Sequence, residues 1–297
     1  MARHFRALIA AAAAVVFQGL ASAVAASPVE LDAAGRKLIH TRGQTIEAFI
    51  YGKGPQTLIL AAGNGRPASQ LRDLARSIAA SGVRTVVYNY RGLGASDGAL
   101  EGLTLLDYGN DIWVIADALG VRKVHLAGKT FGNRVVRAAS QSRPDRVSTV
   151  ILIGAGGEVP PSAETAALYK RYLDPTTPRE EWISLQAQLM YAPGNEAFAA
   201  KDADEGQFPA VAAAQVKASD ATPKAAWAMG GTAPMLAITC LRDRVAVPEN
   251  AYRIAASRPA TWLAGLPDCG HNMVNEQPEE LRRLIAGFIQ TQASSPR

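Results

Sequence analysis

The chain has 297 residues, 48% of them apolar and 19% charged, with a mass of 31.3 kDa and mean hydropathy +0.01; that is apolar enough to exclude a disordered chain and large enough for one α/β domain carrying an insertion. The formal net charge is +5 and the sequence pI about 9.3, but basic and acidic residues are interleaved rather than gathered into a stripe, which argues against a nucleic-acid partner. No internal period or long heptad run is present, which excludes repeat arrays and coiled coils.

Residues 1–26 read as a secretory leader. Arg3, His4 and Arg6 precede an apolar run from Ala7 to Phe17, and small residues follow up to Ala25 and Ala26, with cleavage expected after one of these two. A retained N-terminal anchor is the competing reading, because the run is nearly long enough to cross a bilayer; the Ala-rich core and A-x-A end favour cleavage. The two arginines are not adjacent and the leader has no cysteine, so neither a twin-arginine signal nor a lipid-modified N-terminus is supported. The expected location is periplasmic or secreted, with no stable membrane insertion once the leader is removed. Removal leaves 29 basic against 26 acidic residues, a net +3, since two of the 31 basic residues and no acid lie in the leader.

Residues 37–40 and 45–51 form a hairpin pattern around Arg42 and Gly43. Strands and helices then alternate: strand 57–62, helix 69–80, strand 83–90, helix 103–119, strand 123–127, helix 131–140 and strand 147–153. Such alternation predicts a parallel sheet with helices on both faces. The rhythm breaks over residues 159–231, which hold Pro and Gly clusters and short helical patterns but no convincing strand. This segment is expected to be a helical cap inserted into a core made of residues 27–158 and 232–297. Strands resume at 234–240 and 261–263, and a final helix at 279–290 puts Leu281, Leu284, Ile285, Phe288 and Ile289 on one face. In the cap, Trp182, Met190, Tyr191, Phe198, Phe208, Trp227 and Met229 either line an apolar pocket or build the cap's own core.

Three glycine motifs compete for the function. Gly63-Asn64-Gly65-Arg66-Pro67-Ala68 fits the dinucleotide fingerprint. The acid expected at the end of the next strand is absent, since Tyr88, Asn89, Tyr90 and Arg91 stand there, although Arg91 leaves a 2′-phosphate conceivable. A dinucleotide-binding oxidoreductase is thus a third alternative, weakened by the preceding hairpin and by an exported chain's lack of nucleotide. Gly128-Lys129-Thr130 has the end of a phosphate loop but Lys123 where its first glycine belongs, so no cradle of N–H groups forms. Gly128-Lys129-Thr130-Phe131-Gly132 has the spacing of the nucleophile elbow G-x-S-x-G, with threonine in the central place.

The remaining chemistry falls into place around that elbow. His4 is in the leader, and His40 and His125 lie in predicted strands; His271 alone sits in a loop after a strand, and Asp243 just past the preceding strand. Hydroxyl, acid, histidine is the chain order of one known triad arrangement. The two cysteines, Cys240 and Cys269, fall in the same two loops. An oxidising compartment would allow them to bridge; two buried free thiols are the alternative. No cluster of His, Cys and carboxylates has metal-ligand spacing, so no metal is implied.

From about residue 44 to residue 290 the chain resembles the α/β-hydrolase superfamily, in an esterase- or lipase-like form. The resemblance rests on Ala61-Ala62-Gly63-Asn64-Gly65, Tyr90-Arg91-Gly92-Leu93-Gly94-Ala95-Ser96, the elbow, Asp243 and Gly270-His271. It implies an eight-stranded, mostly parallel sheet, with the cap as a lid over the active site. It further implies a Thr130/His271/Asp243 triad, an oxyanion hole from the backbone N–H groups of Asn64 and Phe131, Glu158 as reserve acid, no cofactor, and hydrolysis of a small carboxylic ester with an apolar portion. The sequence departs from the pattern at Thr130, whose methyl crowds the attack and resists the strained elbow backbone, at Asn133 in place of a common glycine, at Ala62 in place of the usual histidine, and at Asn89 in place of the usual aspartate. A non-hydrolytic enzyme or binding protein on the same scaffold is therefore the alternative. Nothing in the sequence fixes the oligomeric state.

Overall fold

The computed structural model describes residues 35–294 apart from 205 and 207; the leader expected over residues 1–26 lies outside them. The hairpin is β1 (Arg36–Thr41) and β2 (Gln44–Tyr51), with Gly43 turning at φ 89°. Then come β3 (Thr57–Ala61), a 3-10 turn at Ala68–Leu71 running into α1 (Arg72–Ala80), β4 (Arg84–Tyr88) and α2 (Leu105–Ala118). After these stand β5 (Val124–Lys129), α3 (Phe131–Ser142) and β6 (Val147–Ile153). Between β6 and the next strand lie α4 (Ala163–Tyr172), α5 (Arg179–Met190), α6 (Phe198–Asp204) and α7 (Pro209–Ala221). The chain closes with β7 (Met235–Cys240), α8 (Glu249–Ser257), β8 (Thr261–Leu266), the short α9 (Met273–Glu276) and α10 (Pro278–Ser294).

The sheet has eight strands in the order β1-β2-β4-β3-β5-β6-β7-β8, antiparallel at β1/β2 and β2/β4 and parallel from there on, as the sequence implied. All side chains of β3, β5 and β7 are buried, the pattern of central strands covered on both faces, which is why β3 and β7 are mostly apolar; β5 carries His125 and Lys129 within the same buried setting. Thr104 and Asp107 cap α2 reciprocally through Asp107 Oδ2 and the Thr104 hydroxyl, fixing where that helix starts. Parallel order brings the carboxyl ends of β3, β5, β7 and β8 to one edge of the sheet, where an open α/β sheet offers its crevice.

Most cap residues that could have lined a pocket do something else. Tyr191 lies in a separate apolar cluster with Tyr172, Leu185 and Leu189, against which Trp182 and Phe198 pack; the rings of Tyr172 and Trp182 stack at 5.1 Å. Trp227 and Phe208 join the main core, and Met229 is exposed. Only Met190 of that set also borders a cavity at the site.

Candidate active site

Thr130 stands between β5 and α3 at φ 52° and ψ −106°, a conformation that costs a β-branched residue strain and turns its side chain away from both elements. Glycine is required on either side. A Cβ on Gly128 would lie 2.2 Å from the carbonyl of Gly132, and one on Gly132 would lie 2.2 Å from the carbonyl oxygen of Ala61. The elbow spacing thus marks a point where strand, helix and the neighbouring strand touch backbone to backbone.

Three of the residues singled out from sequence converge here. Thr130 Oγ1 is 3.1 Å from His271 Nε2, and His271 Nδ1 is 2.8 Å from Asp243 Oδ2. Asp243 is buried and its other oxygen accepts the N–H groups of Val245 at 2.9 Å and Ala246 at 2.8 Å, so the carboxylate is fixed by its own loop. A carboxylate at Nδ1 holds the ring proton on that nitrogen and leaves Nε2 to accept from the Thr130 hydroxyl. The loop carrying His271 is held in turn by Glu276, whose carboxylate accepts the N–H of Gly270 and that of Ala192, each at 2.8 Å. Glu158 is not brought to the histidine: it is exposed at the rim, its N–H donating to Asn250 at 2.8 Å, and Asp243 takes the place at Nδ1.

Phe131 opens α3, so its N–H is one of the donors a helix leaves unpaired, and the N–H of Asn64 meets no acceptor among the described residues. Both residues border the cavity at Thr130. The Asn64 turn is pinned from above by α7: Asn64 Nδ2 donates to Gln215 Oε1 and to the Ala212 carbonyl, both at 3.1 Å, and the N–H of Gly65 donates to Gln215 Oε1 at 2.7 Å. Asp202 of α6 forms a buried ion pair with Arg66 and accepts from Gln186 and, at 2.7 Å, from Asn272 beside His271. Sequence reasoning missed Gln215, Asp202 and Glu276: the first two are polar residues on helices between β6 and β7 and the third ends the short α9 after His271, and none carries a local sign of what it bonds to.

Two cavities flank Thr130 and His271. The larger, about 460 Å³, is walled mainly by apolar groups such as Val159, Pro161, Leu173, Val216 and Val245. The smaller, about 40 Å³, is bordered by Lys129, Arg66, Tyr172, Asp202 and Asn272. The two cysteines, left open from sequence, are bridged: a Cys240–Cys269 disulfide with Cα atoms 5.3 Å apart staples the loop of Asp243 to that of His271.

Other candidates are occupied elsewhere. Arg91 makes a two-pronged ion pair with Asp111 at 3.0 and 2.8 Å, so it is not presented to a ligand phosphate. Asn89 accepts the N–H of Ala68 at 2.7 Å and donates to Glu47 at 2.8 Å. The buried acid at this place is thus Glu47; burial raises its pKa, but bonds from the Ala95 N–H, Arg36 and Asn89 outweigh that and hold it below the ordinary carboxylate value. His40 is at the exposed hairpin edge, and His125 is buried between Thr149 at 2.8 Å and Gln56 at 3.0 Å, with burial lowering its pKa to about 4. Among the described residues no group of His, Cys, Asp and Glu could hold a metal, and no helix is long and apolar enough to cross a membrane.

Residues 58–284 match the family model described as the alpha/beta hydrolase family. The chain belongs to that family. This α/β-hydrolase is 24% identical over 258 residues to the 2-hydroxy-6-oxononadienedioate/2-hydroxy-6-oxononatrienedioate hydrolase of Paraburkholderia xenovorans strain LB400, covering 80% of this chain and 88% of that one. Its fold is similar to that of the esterase EaEST from Exiguobacterium antarcticum, with TM-score 0.73 at 17% identity over 85% of this chain and 98% of the other. A thermophilic esterase from Thermogutta terrifontis matches with TM-score 0.68 at 20% identity, over 86% of this chain and 98% of the other.

Proposed function

We propose that this α/β-hydrolase cleaves small carboxylic esters with an apolar portion by acyl transfer through Thr130. The observation that carries the reading is the relay Thr130 Oγ1, His271 Nε2, His271 Nδ1, Asp243 Oδ2, with spacings of 3.1 and 2.8 Å. As Thr130 Oγ1 attacks the ester carbonyl, its proton passes to His271 Nε2, and Asp243 stabilises the imidazolium that forms. The N–H groups of Asn64 and Phe131, both bordering the cavity at Thr130, would receive the developing oxyanion, each such donor being worth roughly 3 kcal/mol. The C–O bond then breaks, His271 protonates the departing alcohol, and a water deprotonated by His271 hydrolyses the acyl-threonine and restores the Thr130 hydroxyl. The larger cavity takes the apolar portion. Curated relatives named as hydrolases and structural neighbours titled as esterases support the class of reaction. The leader pattern and the disulfide, which suits an oxidising compartment, support export.

The methyl of Thr130 at a strained φ of 52° favours a second reading, a scaffold that binds but does not turn over. Rates on short p-nitrophenyl esters separate the two. The first reading predicts turnover that falls about 10³-fold or more in Thr130→Ala and in His271→Ala, and that survives or rises in Thr130→Ser, which keeps the hydroxyl and loses the methyl. Turnover no higher than that of Thr130→Ala would leave only the second.

A further inference from the structure

Lys129 is the elbow residue whose polar side chain the reaction above leaves unused. It ends β5, is 4% exposed, and among the described residues its ammonium makes neither a hydrogen bond nor an ion pair. It borders the 40 Å³ cavity together with Thr130 and His271. The buried Tyr172, on the same cavity, also has no partner for its hydroxyl among the described residues. The charges that act on Lys129 are already engaged. Arg66 is paired with Asp202, and the Asp202 oxygens accept from Arg66, Gln186 and Asn272; Asp243 faces His271 and its own loop, and Glu276 faces backbone N–H groups. Burial, the largest influence, brings the lysine pKa down to about 8, with the charge still favoured at neutral pH. A largely desolvated ammonium without a protein partner is costly, and one that borders a cavity is a candidate to be completed by a ligand.

We propose that the small cavity is an anion subsite in which the Lys129 ammonium, with the Tyr172 hydroxyl beside it, binds a carboxylate of the substrate, so that the favoured esters are half-esters of short dicarboxylic acids. The inference rests on the ester-hydrolase reading for its catalytic half. The cavity has room for a carboxylate or a few waters and no longer chain. The alcohol leaves first while the acyl part stays joined to Thr130, so the leaving part belongs in the 460 Å³ cavity, which reaches the exposed Glu158 and Pro160. The acyl part, with its carboxylate, belongs at Lys129.

The test compares an aryl hemisuccinate with the aryl 4-oxopentanoate, a neutral analogue of the same length, in the wild-type protein and in Lys129→Met and Lys129→Gln. A wild-type preference for the hemisuccinate in kcat/KM that shrinks about 10- to 100-fold in both variants, the range of a hydrogen bond to a charged group, supports the subsite. Equal kcat/KM for the two esters, or a preference that both variants keep, overturns it while ester hydrolysis stands. Calorimetric titration of succinate into Thr130→Ala protein, with and without Lys129→Met, is independent of turnover and of the kinetic assay. Succinate binding that Lys129→Met removes, with neither ester hydrolysed, keeps the subsite and defeats the hydrolytic reading; absence of succinate binding and of any preference overturns the subsite. A Lys129 variant that fails to show native circular dichroism is replaced by Lys129→Arg, for which the hemisuccinate preference is expected to persist.

Discussion

Lys129 shows how much a single buried charge determines at this site. Its pKa is about 8 in the folded protein against an ordinary 10.5, lowered first by burial. Between those values the unfolded chain binds more protons than the native one, so this group's contribution makes the protein more stable as pH rises. At pH 7 the cost of keeping the charged lysine inside is on the order of 3 kcal/mol. Lys129→Met is therefore expected to unfold at higher urea than the wild type at pH 7, with the gap narrowing towards pH 9.5. A gap that stays constant across that range would mean the ammonium is solvated after all. Thr130 was legible from the elbow spacing, and so was its conflict with the backbone, which the φ of 52° bears out. Lys129 stood in the same motif but beyond the strand expected over residues 123–127, so its burial at the end of β5 was not legible.

At the scale of elements, the sequence pattern located the strands and the helices α1, α2, α3 and α10, and pairing set the strand boundaries. β5 runs on through Gly128 and Lys129 because both pair with β6, opposite Leu152 and Ile153, and β8 continues to Leu266, opposite Cys240. β4 stops at Tyr88 rather than 90, since Asn89 turns its side chain to the N–H of Ala68 and to Glu47. α8 was not legible: only Asn250, Ala251 and Ile254 of its nine residues are buried, too few to set up a periodic face. The disulfide joins the ends of β7 and β8 across 29 positions and is expected to contribute about 3 to 4 kcal/mol, mainly by constraining the unfolded chain. Cys240→Ser/Cys269→Ser protein should lose that amount in urea unfolding. It should also lose kcat, because the same bridge ties the loop of Asp243 to that of His271. Unchanged stability on removing both cysteines would contradict this.

For the molecule as a whole, the sequence disclosed the sheet and the residues of the proposed triad but not how the segment between β6 and β7 is coupled to them. Among its described residues the segment between β6 and β7 holds helices joined by turns and no strand, and beside the apolar side chains that wall the larger cavity it meets the site through polar atoms that composition does not reveal: Gln215 to the Asn64 turn, Asp202 to Arg66 and Asn272. Gln215→Ala would leave the Asn64 amide and the Gly65 N–H short of an acceptor and free the oxyanion turn to move. It is expected to lower kcat about 10- to 100-fold with a smaller change in KM, the split that separates loss of transition-state positioning from loss of substrate binding; a change confined to KM would assign Gln215 to the pocket wall instead. In the proposed function all these parts serve one covalent step at Thr130. The most direct measurement is mass spectrometry of the protein after reaction with a fluorophosphonate, followed by peptide mapping. One adduct per chain on the Thr130 hydroxyl, lost in Thr130→Ala and strongly slowed in His271→Ala, is the predicted result; an unlabelled wild-type protein, or an adduct elsewhere that both variants keep, would contradict the account.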